Sequence, residues 1–468
     1  MGAKIHQLTR RFVVLSVVVS LSLSAVLTAA RAQSTLVASP VATPDAAALE
    51  AFFATPVGGQ AAWVIAGLNG EGEEITEERY VALFDPAFVQ TVPFDQFLPV
   101  VAEIAAVGPW EAVAVAPGAT EVAATVTIQG TGVAYDMVIG VDETPERRIV
   151  NLGFQPGAPR GWSDVDAALS AIGPTVGLIA AEVTGTGCTP VHSLGADTTL
   201  AIGSAFKLYI LGELARQIAA GERAWDDEIE IQDAYRSLPS GDLLYAPAGT
   251  SHTLRYLAEV MISQSDNTAT DHLLYTLGRE NVEAMVTSMG HSDGALLTPF
   301  LSTRELFAIK TVLTPDRQEA YIAADAEKRR ALLDGEITAA ADEMTIADVA
   351  GFIEPTLVTE VEWFASPNDL CVAMAYLLDQ STQAGMLPVR EILTLSPGIP
   401  FNRTQWPVIG FKGGSEPGVL STTWLLQKED GRWFVVSLGV NDTKNEVDQD
   451  AFLQVGALAT TVLAQETS

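Results

Sequence analysis

The chain has 468 residues, a hydrophobic fraction of 48% and a formal net charge of −32. Because this length and hydrophobic content can supply buried cores, we expect more than one folded domain and exclude disorder over most of the chain. The negative charge repels phosphate backbones and anionic lipid surfaces, so we predict no nucleic-acid partner.

The first 32 residues are typical of an export signal. Lys4, Arg10 and Arg11 precede an apolar run from Phe12 to Thr28, and Ala30-Arg31-Ala32 offers a cleavage site between small residues. A membrane anchor is the alternative, but the run is short for a span and contains several serines. We predict cleavage near Ala32, a secreted or cell-envelope location, and no stable membrane span in the mature protein.

The next part of the chain predicts a small α+β domain. Residues 33–44, rich in Ser, Thr, Pro and Ala, predict a flexible lead-in. Between residues 45 and 106 the apolar periodicity predicts three or four helices. Between Ala112 and Phe154 the alternation of β-branched and polar residues predicts an antiparallel meander. We place this domain at residues 45–156, and it carries no cluster of catalytic residue types.

A Pro- and Gly-rich linker from Pro156 to Gly161 leads into the larger part of the chain. Strands are predicted near its start, from Thr175 and Pro190, and near its end at Val408–Phe411, Leu420–Gln427 and Trp433–Val440. Helices are predicted between them, including an extra helical insertion from Gln318 to Ala350, and at the C-terminus. This order predicts an α/β layer domain over residues 157–468.

Neither the cysteines nor the histidines form a metal-binding pattern. Cys188 and Cys371 are the two cysteines, and their wide separation leaves a disulfide open. The five histidines show none of the spacings of a zinc site. We therefore predict no metal and no cofactor.

The stretch A-I-G-S-A-F-K-L-Y-I-L from Ala201 to Leu211 contains the candidate chemistry. A helix that starts near Ser204 places Lys207 one turn on, within reach of the serine hydroxyl. A lysine desolvated by apolar neighbours can take the proton of a serine, and a helix N-terminus favours developing negative charge. The alternative is a serine that caps a helix, with a solvated lysine one turn later.

Two later motifs favour the catalytic interpretation. They are Ser265-Asp266-Asn267 and Lys412-Gly413-Gly414-Ser415. S-x-x-K, then S-D-N, then a K-T-G-like triplet resembles the motif set of penicillin-binding proteins and class A β-lactamases. The resemblance covers residues 162–467 and implies a class A β-lactamase-like transpeptidase fold for the larger domain.

The resemblance implies three catalytic roles. Ser204 would be the acylated nucleophile and Lys207 its proton acceptor. Ser265 would relay a proton to the leaving nitrogen. Asp266, in such proteins, braces the loop.

The resemblance also implies how a substrate binds. Asn267 would contact the acyl side chain, and Lys412 would favour a substrate carboxylate. Gly414 and Ser415 would line the site, with the backbone N–H groups of Ser204 and Ser415 as the oxyanion hole. We expect a small-molecule substrate with a carbonyl and a carboxylate, and the oligomeric state stays open.

Two departures from the family pattern limit this prediction. Gly413 replaces the usual hydroxyl residue of the third motif, and no E-x-x-L-N sequence is present to supply a water-activating glutamate. The nearest match is Glu354-Pro-Thr-Leu-Val, which we interpret as a solvated loop carboxylate.

The two-domain layout and the sequence P-F-L-S-T-R-E-L-F from Pro299 to Phe307 are similar to one subgroup of the superfamily. It includes mycobacterial β-lactamase-like lipoproteins and a β-lactamase-like protein associated with clavulanic acid biosynthesis. In that subgroup the N-terminal domain resembles the NTF2/steroid-isomerase cone fold.

Three functions remain in competition. The first is a secreted serine hydrolase that acylates Ser204 with ester, amide or β-lactam carbonyls, as a weak β-lactamase or esterase rather than an efficient penicillinase. The second is a D-alanyl-D-alanine peptidase. The third is a protein that binds β-lactams without turnover.

Overall fold

A computed structural model of the chain describes residues 46–71, 75–116, 118–130, 134–156 and 161–467. The predicted export signal and lead-in lie outside the described residues. The chain divides into two compact units between Ala158 and Pro159. The domain limits given above, 45–156 and 157–468, stay a prediction.

In the first unit, helices come before strands. The helices are α1 (Ala46–Phe53), α2 (Pro56–Leu68), α3 (Glu77–Leu83), α4 (Pro86–Thr91) and α5 (Phe94–Ala105). The strands are β1 (Glu111–Val115), β2 (Ala123–Gln129), β3 (Ala134–Val141) and β4 (Ile149–Pro156), paired antiparallel in chain order. Alternate residues of the strands, such as Val126 and Ile128, are buried in the same core as Tyr80 and Phe84. The predicted α+β order is confirmed, whereas the cone fold stays a prediction.

The second unit is built on a five-stranded antiparallel sheet in the order β11-β12-β13-β5-β6. These strands are β5 (Thr175–Thr184), β6 (Gly187–Leu194), β11 (Val408–Glu416), β12 (Val419–Gln427) and β13 (Trp433–Asn441). Short strands β7 (Leu200–Ala201) and β10 (Phe364–Ala365) pair with each other, as do β8 (Glu228–Glu230) and β9 (Ser251–Thr253). Both ends of the domain contribute to the sheet, as predicted.

Helices cover both faces of this sheet. One core contains α6 (Trp162–Ile172) and α18 (Gln449–Glu466). The other contains α7 (Lys207–Ala219), α8 (Leu254–Ser263), α9 (Asn267–Leu277), α10 (Arg279–Ser288), α11 (Thr303–Thr311), α16 (Pro367–Ser381) and α17 (Leu387–Leu393). Strand β12 is buried along almost its whole length because helices pack on each side, so its sequence is mostly apolar instead of alternating.

The predicted helical insertion is present but differs in detail. The insertion is predicted from Gln318 to Ala350. The structure instead has α12 (Pro315–Ile322), α13 (Ala326–Leu332), α14 (Thr338–Glu343) and α15 (Ile346–Ala350). Asp325 starts the second of these helices, because its side chain caps α13 by accepting from the Lys328 backbone N–H.

The two cysteines are bonded to each other. The disulfide Cys188–Cys371 joins the edge strand β6 to helix α16 across 183 residues of sequence. Among the described residues, no helix is both long enough and apolar enough to cross a membrane. The described ranges also contain no group of three or more His, Cys, Asp or Glu side chains placed to hold a metal ion.

Candidate active site

Ser204 lies in a turn whose backbone contacts strand β11. It occupies a 3-10 turn, Gly203–Phe206, between β7 and α7. A Cβ atom at Gly203 would lie 2.9 Å from the Ser415 backbone nitrogen, and one at Gly414 would lie 2.0 Å from the Ile202 carbonyl oxygen. Only glycine permits this approach of two backbones. The contact brings the Ser204 and Ser415 amides, the predicted oxyanion pair, together.

Lys207 is fully buried at the start of α7. Its Nζ donates to Ser265 O at 2.7 Å, to Ser265 Oγ at 3.0 Å and to Asn267 Oδ1 at 2.7 Å. Within the described part of the chain, no hydrogen bond joins Lys207 Nζ to Ser204 Oγ. Burial and the positive charge of Lys412 lower the pKa of Lys207 well below its usual value. A lysine with such a pKa can be a neutral base.

Ser265 connects the two lysines of the site. Its Oγ accepts from Lys207 Nζ at 3.0 Å and from Lys412 Nζ at 3.1 Å. Its φ of 58° is in the left-handed region, which is uncommon for a residue other than glycine. The Ser240 hydroxyl, which donates to Ser265 O at 3.0 Å, helps to hold this conformation. This backbone conformation places the hydroxyl between the two lysine Nζ atoms.

Asn267 lies at the site, and both polar atoms of its side-chain amide already bind other groups of the protein. Its Oδ1 accepts from Lys207, and its Nδ2 donates to Leu238 O at 3.0 Å. The side chain is therefore held by the protein, and a contact with an acyl side chain would compete with the Leu238 carbonyl. Leu238, whose carbonyl holds the amide nitrogen, lies outside all three motifs.

Lys412 lies on β11 with its side chain buried. It is 3% exposed, and its Nζ donates to Gly413 O at 2.6 Å in addition to Ser265 Oγ. Burial lowers the pKa of Lys412 to about 7. The predicted strand ended at Phe411, which is wrong, because β11 continues to Glu416 and carries the whole third motif. Its pairing with β12 runs as far as Glu416 and Val419.

The absence of a side chain at position 413 has a local cause. A Cβ atom at Gly413 would lie 2.9 Å from Cζ of Phe411, whose ring packs against Trp424. A threonine or serine at this position would require that ring to move. The aromatic residue two positions earlier therefore occupies the space of the missing hydroxyl side chain.

These residues open onto one cleft of about 440 Å³. The predicted residues that line it are Ser204, Ser265, Asn267, Lys412, Gly414 and Ser415. Lys207 contacts them from the interior of the protein. The structure thus brings all three motifs to one place, whereas Glu354 is exposed and does not belong to the lining.

A buried carboxylate that the sequence analysis missed also reaches this cleft. Glu416 is the acidic residue among the described residues of the lining. It pairs with Lys310 of α11, which is 2.6 Å from Glu362 Oε1 as well. Burial, reinforced by Glu362, raises the pKa of Glu416 well above its usual value. Strand side chains repeat with a period of two, so Lys412, Gly414 and Glu416 share a face of β11. This spacing is the signal in the sequence that could have indicated Glu416 as a residue of the site.

This fold and site define a class, that of proteins with a β-lactamase-like serine hydrolase fold. Residues 163–463 match the sequence model of the β-lactamase enzyme family, so the chain belongs to that family. The predicted superfamily and the predicted fold of the larger domain are confirmed. Residues 53–146 match a second model, described as the N-terminal part of the ORF 12 gene product. The proposed subgroup stays a prediction.

Several solved structures are similar to this chain over its larger part. A β-lactamase from Sphaerobacter thermophilus DSM 20745 is 24% identical, with a TM-score of 0.46, over 65% of this chain and 97% of that one. The structure of PBP-A is 16% identical, with a TM-score of 0.43, over 67% and 99%. An ancestral class A β-lactamase is 16% identical, with a TM-score of 0.44, over 64% and 97%. A search of curated proteins gave no match.

Proposed function

We propose that this protein is a serine hydrolase that forms an acyl-enzyme at Ser204 with ester, amide or β-lactam carbonyls. The observation that carries the proposal is the Ser265 hydroxyl, which bridges Lys207 and Lys412 beside the paired amides of Ser204 and Ser415. A nucleophile, a base, a proton relay and an oxyanion site are then all available within one cleft.

Acylation would proceed in two proton transfers. Ser204 Oγ attacks the carbonyl carbon while neutral Lys207 accepts its proton, and the Ser204 and Ser415 amides stabilise the oxyanion. As the intermediate collapses, the bond to the leaving group breaks. Ser265 passes a proton to the departing atom, and Lys207 restores the proton of Ser265. The product is an ester on Ser204.

Hydrolysis of this ester requires a base for water, and we assign that role to Glu416. A water molecule would lose a proton to the Glu416 carboxylate as its oxygen attacks the acyl carbon. The intermediate then breaks its bond to Ser204 Oγ, which regains a proton through solvent as Glu416 releases the one it accepted, and the carboxylic acid leaves. Because Glu416 is buried and bound to Lys310, we expect slow turnover, typical of a weak β-lactamase or esterase.

The proposal also includes the place where the protein acts. The sequence of residues 1–32 supports export, and we infer that the mature protein acts in the cell envelope or outside the cell. The substrate would be a small molecule with a carbonyl group and, opposite Lys412, a carboxylate.

Intact-mass measurements with Ser204→Ala test the proposal. The mature protein is mixed with a fluorescent penicillin, a chromogenic cephalosporin and a chromogenic ester, and its mass is followed with time. We expect a transient adduct with product release, and none in Ser204→Ala. Ser263→Ala is the matched control, because Ser263 lines the same cleft but its hydroxyl donates to the Glu259 carbonyl.

The same experiment separates the competing functions. A permanent adduct without product indicates a protein that binds β-lactams without turnover. The peptidase needs a separate digest of cell-wall peptides, in which loss of terminal D-alanine supports it. If neither an adduct nor ester hydrolysis is detected, acyl-enzyme formation at Ser204 is wrong.

A further inference from the structure

A second cavity, of about 290 Å³, continues from the catalytic cleft. The two share the lining residues Pro239, Phe307, Ser415 and Glu416. The rest of the second lining is almost entirely apolar and comprises Leu238, Tyr245, Ile346, Val349, Ala350, Phe352 and Pro417. An apolar space that opens next to the oxyanion amide of Ser415 is placed to receive part of a substrate.

The helical insertion supplies one wall of this cavity. Helix α15 begins with a capping box in which Thr345 N donates to Asp348 Oδ2 at 2.8 Å and Thr345 Oγ1 accepts from Asp348 N. This cap fixes the start of the helix, where Ile346 lies. Ile346 is 61% exposed and Tyr245, which also lines the cavity, is 75% exposed. These large side chains line the cavity without being covered by the protein.

The direction of β11 indicates which part of a substrate enters the cavity. Lys412 and Ser265 lie on one side of the Gly414 contact with Ser204, and Glu416 lies on the other. Under the proposed function Ser265 protonates the leaving group, which therefore lies on the Lys412 side. The acyl group would then extend from the same carbonyl carbon toward Glu416, where the second cavity opens.

We propose that this cavity binds the apolar acyl chain of an ester or amide whose carbonyl is attacked by Ser204. The inference rests on the proposed function and specifies its substrate class. Each methylene that the cavity removes from water contributes a factor of about four to kcat/KM when it is fully buried. The apolar lining also disfavours acyl groups with a negatively charged end, because such groups would lose hydration beside the Glu416 carboxylate.

Esters of graded acyl length test the proposal. With p-nitrophenyl acetate, butyrate and octanoate, below the concentration at which the esters aggregate, we expect kcat/KM to rise by about tenfold or more from acetate to octanoate. Ile346→Asp places a charge in the lining, and Ala350→Trp fills the space. Both should remove most of the gain for octanoate and change kcat/KM for acetate much less.

The matched control is Ile353→Asp. Ile353 is 63% exposed and lies three residues beyond α15, but it does not line the cavity. This variant should keep the full preference for octanoate. A flat dependence on acyl length, or equal losses in Ile346→Asp and Ile353→Asp, overturns the proposal.

Binding separates failure of this inference from failure of the proposed function. If no ester acylates Ser204, the hydrolase proposal fails, and the cavity is tested by calorimetry with octanoate and the Ser204→Ala protein. Saturable one-to-one binding that Ile346→Asp weakens by about tenfold or more supports the cavity as an acyl-chain site. No binding, or binding that Ile346→Asp leaves unchanged, overturns it.

Discussion

Two buried lysines define the site at the scale of single residues. Lys207 is fully buried and Lys412 is 3% exposed, and each donates to Ser265 Oγ. Burying an ammonium group costs free energy, and a second positive charge nearby adds to that cost. The cost is reduced when one lysine loses its proton, which is the state that a base beside Ser204 needs.

The pKa of Lys412, about 7, predicts a pH dependence of substrate affinity. Below this pH the ammonium attracts a substrate carboxylate, and as the pH rises through 7 the group becomes neutral and the attraction is lost. We expect KM for a carboxylate-bearing cephalosporin to rise between about pH 6 and about pH 9, relative to KM for p-nitrophenyl acetate. In Lys412→Arg, whose guanidinium stays charged, this difference between substrates should disappear. A constant ratio in the unaltered protein contradicts the prediction.

If Glu416 is the base for water, its replacement should slow deacylation without slowing acylation. Glu416→Gln keeps the size of the side chain but cannot accept a proton, so the acyl-enzyme should form at a similar rate and decay about 10²- to 10⁴-fold more slowly. Single-turnover mass measurements give both rates. Because burial and Glu362 raise the pKa of Glu416, its ionised fraction grows with pH, and deacylation should accelerate as the pH rises.

The control for this variant is Glu354→Gln, which removes an exposed carboxylate outside the cleft. Deacylation should be unchanged there. If Glu416→Gln slows acylation and deacylation equally, or neither, Glu416 is not the base.

At the scale of elements, the second motif is a helix start. Asp266 is fully buried, its Oδ1 accepts from Ala269 N at 2.8 Å and its Oδ2 accepts from Leu243 N at 2.9 Å. The first bond caps α9, and the second fastens the 3-10 turn Asp242–Tyr245 to it. A carboxylate is needed because it supplies two acceptors to two backbone donors that water does not reach.

Removing this carboxylate should destabilise the protein. We expect Asp266→Ala to lower the free energy of unfolding by about 1–3 kcal/mol, because the cap is lost and the Leu243 N–H is left without a partner. Urea denaturation measures the change. Asp448→Ala removes the exposed cap of α18 and should cost less, since water can replace it. Equal losses would show that the burial of Asp266 has no role.

At the scale of the whole molecule, the larger unit is held by its sheet and by one covalent link. The Cys188–Cys371 disulfide ties an edge strand to a helix of the main core, and a link of this kind contributes about 2–5 kcal/mol in exported domains. Such bonds form in oxidising compartments, which agrees with the export that the sequence predicts. The net charge of −32 is compatible with two lysines at the cleft, because both are buried and act locally.

The sequence by itself determined the class of the larger domain and the three motifs of its site. Ser204 and Lys207 are three residues apart, so a local turn is enough to relate them. Ser265 and Asp266 were recognisable because a polar triplet at a helix start is also a local pattern. Strands at both ends of the domain, with helices between them, likewise predicted the layered fold.

Only the tertiary structure decided how those motifs meet. The contact of Gly203 with the Ser415 backbone, the bond of Asn267 to the Leu238 carbonyl and the pairing of Glu416 with Lys310 join residues that are far apart in sequence. Such contacts depend on the packing of whole elements, and no local periodicity encodes them. The second cavity has the same origin, because its walls come from four separate stretches of the chain.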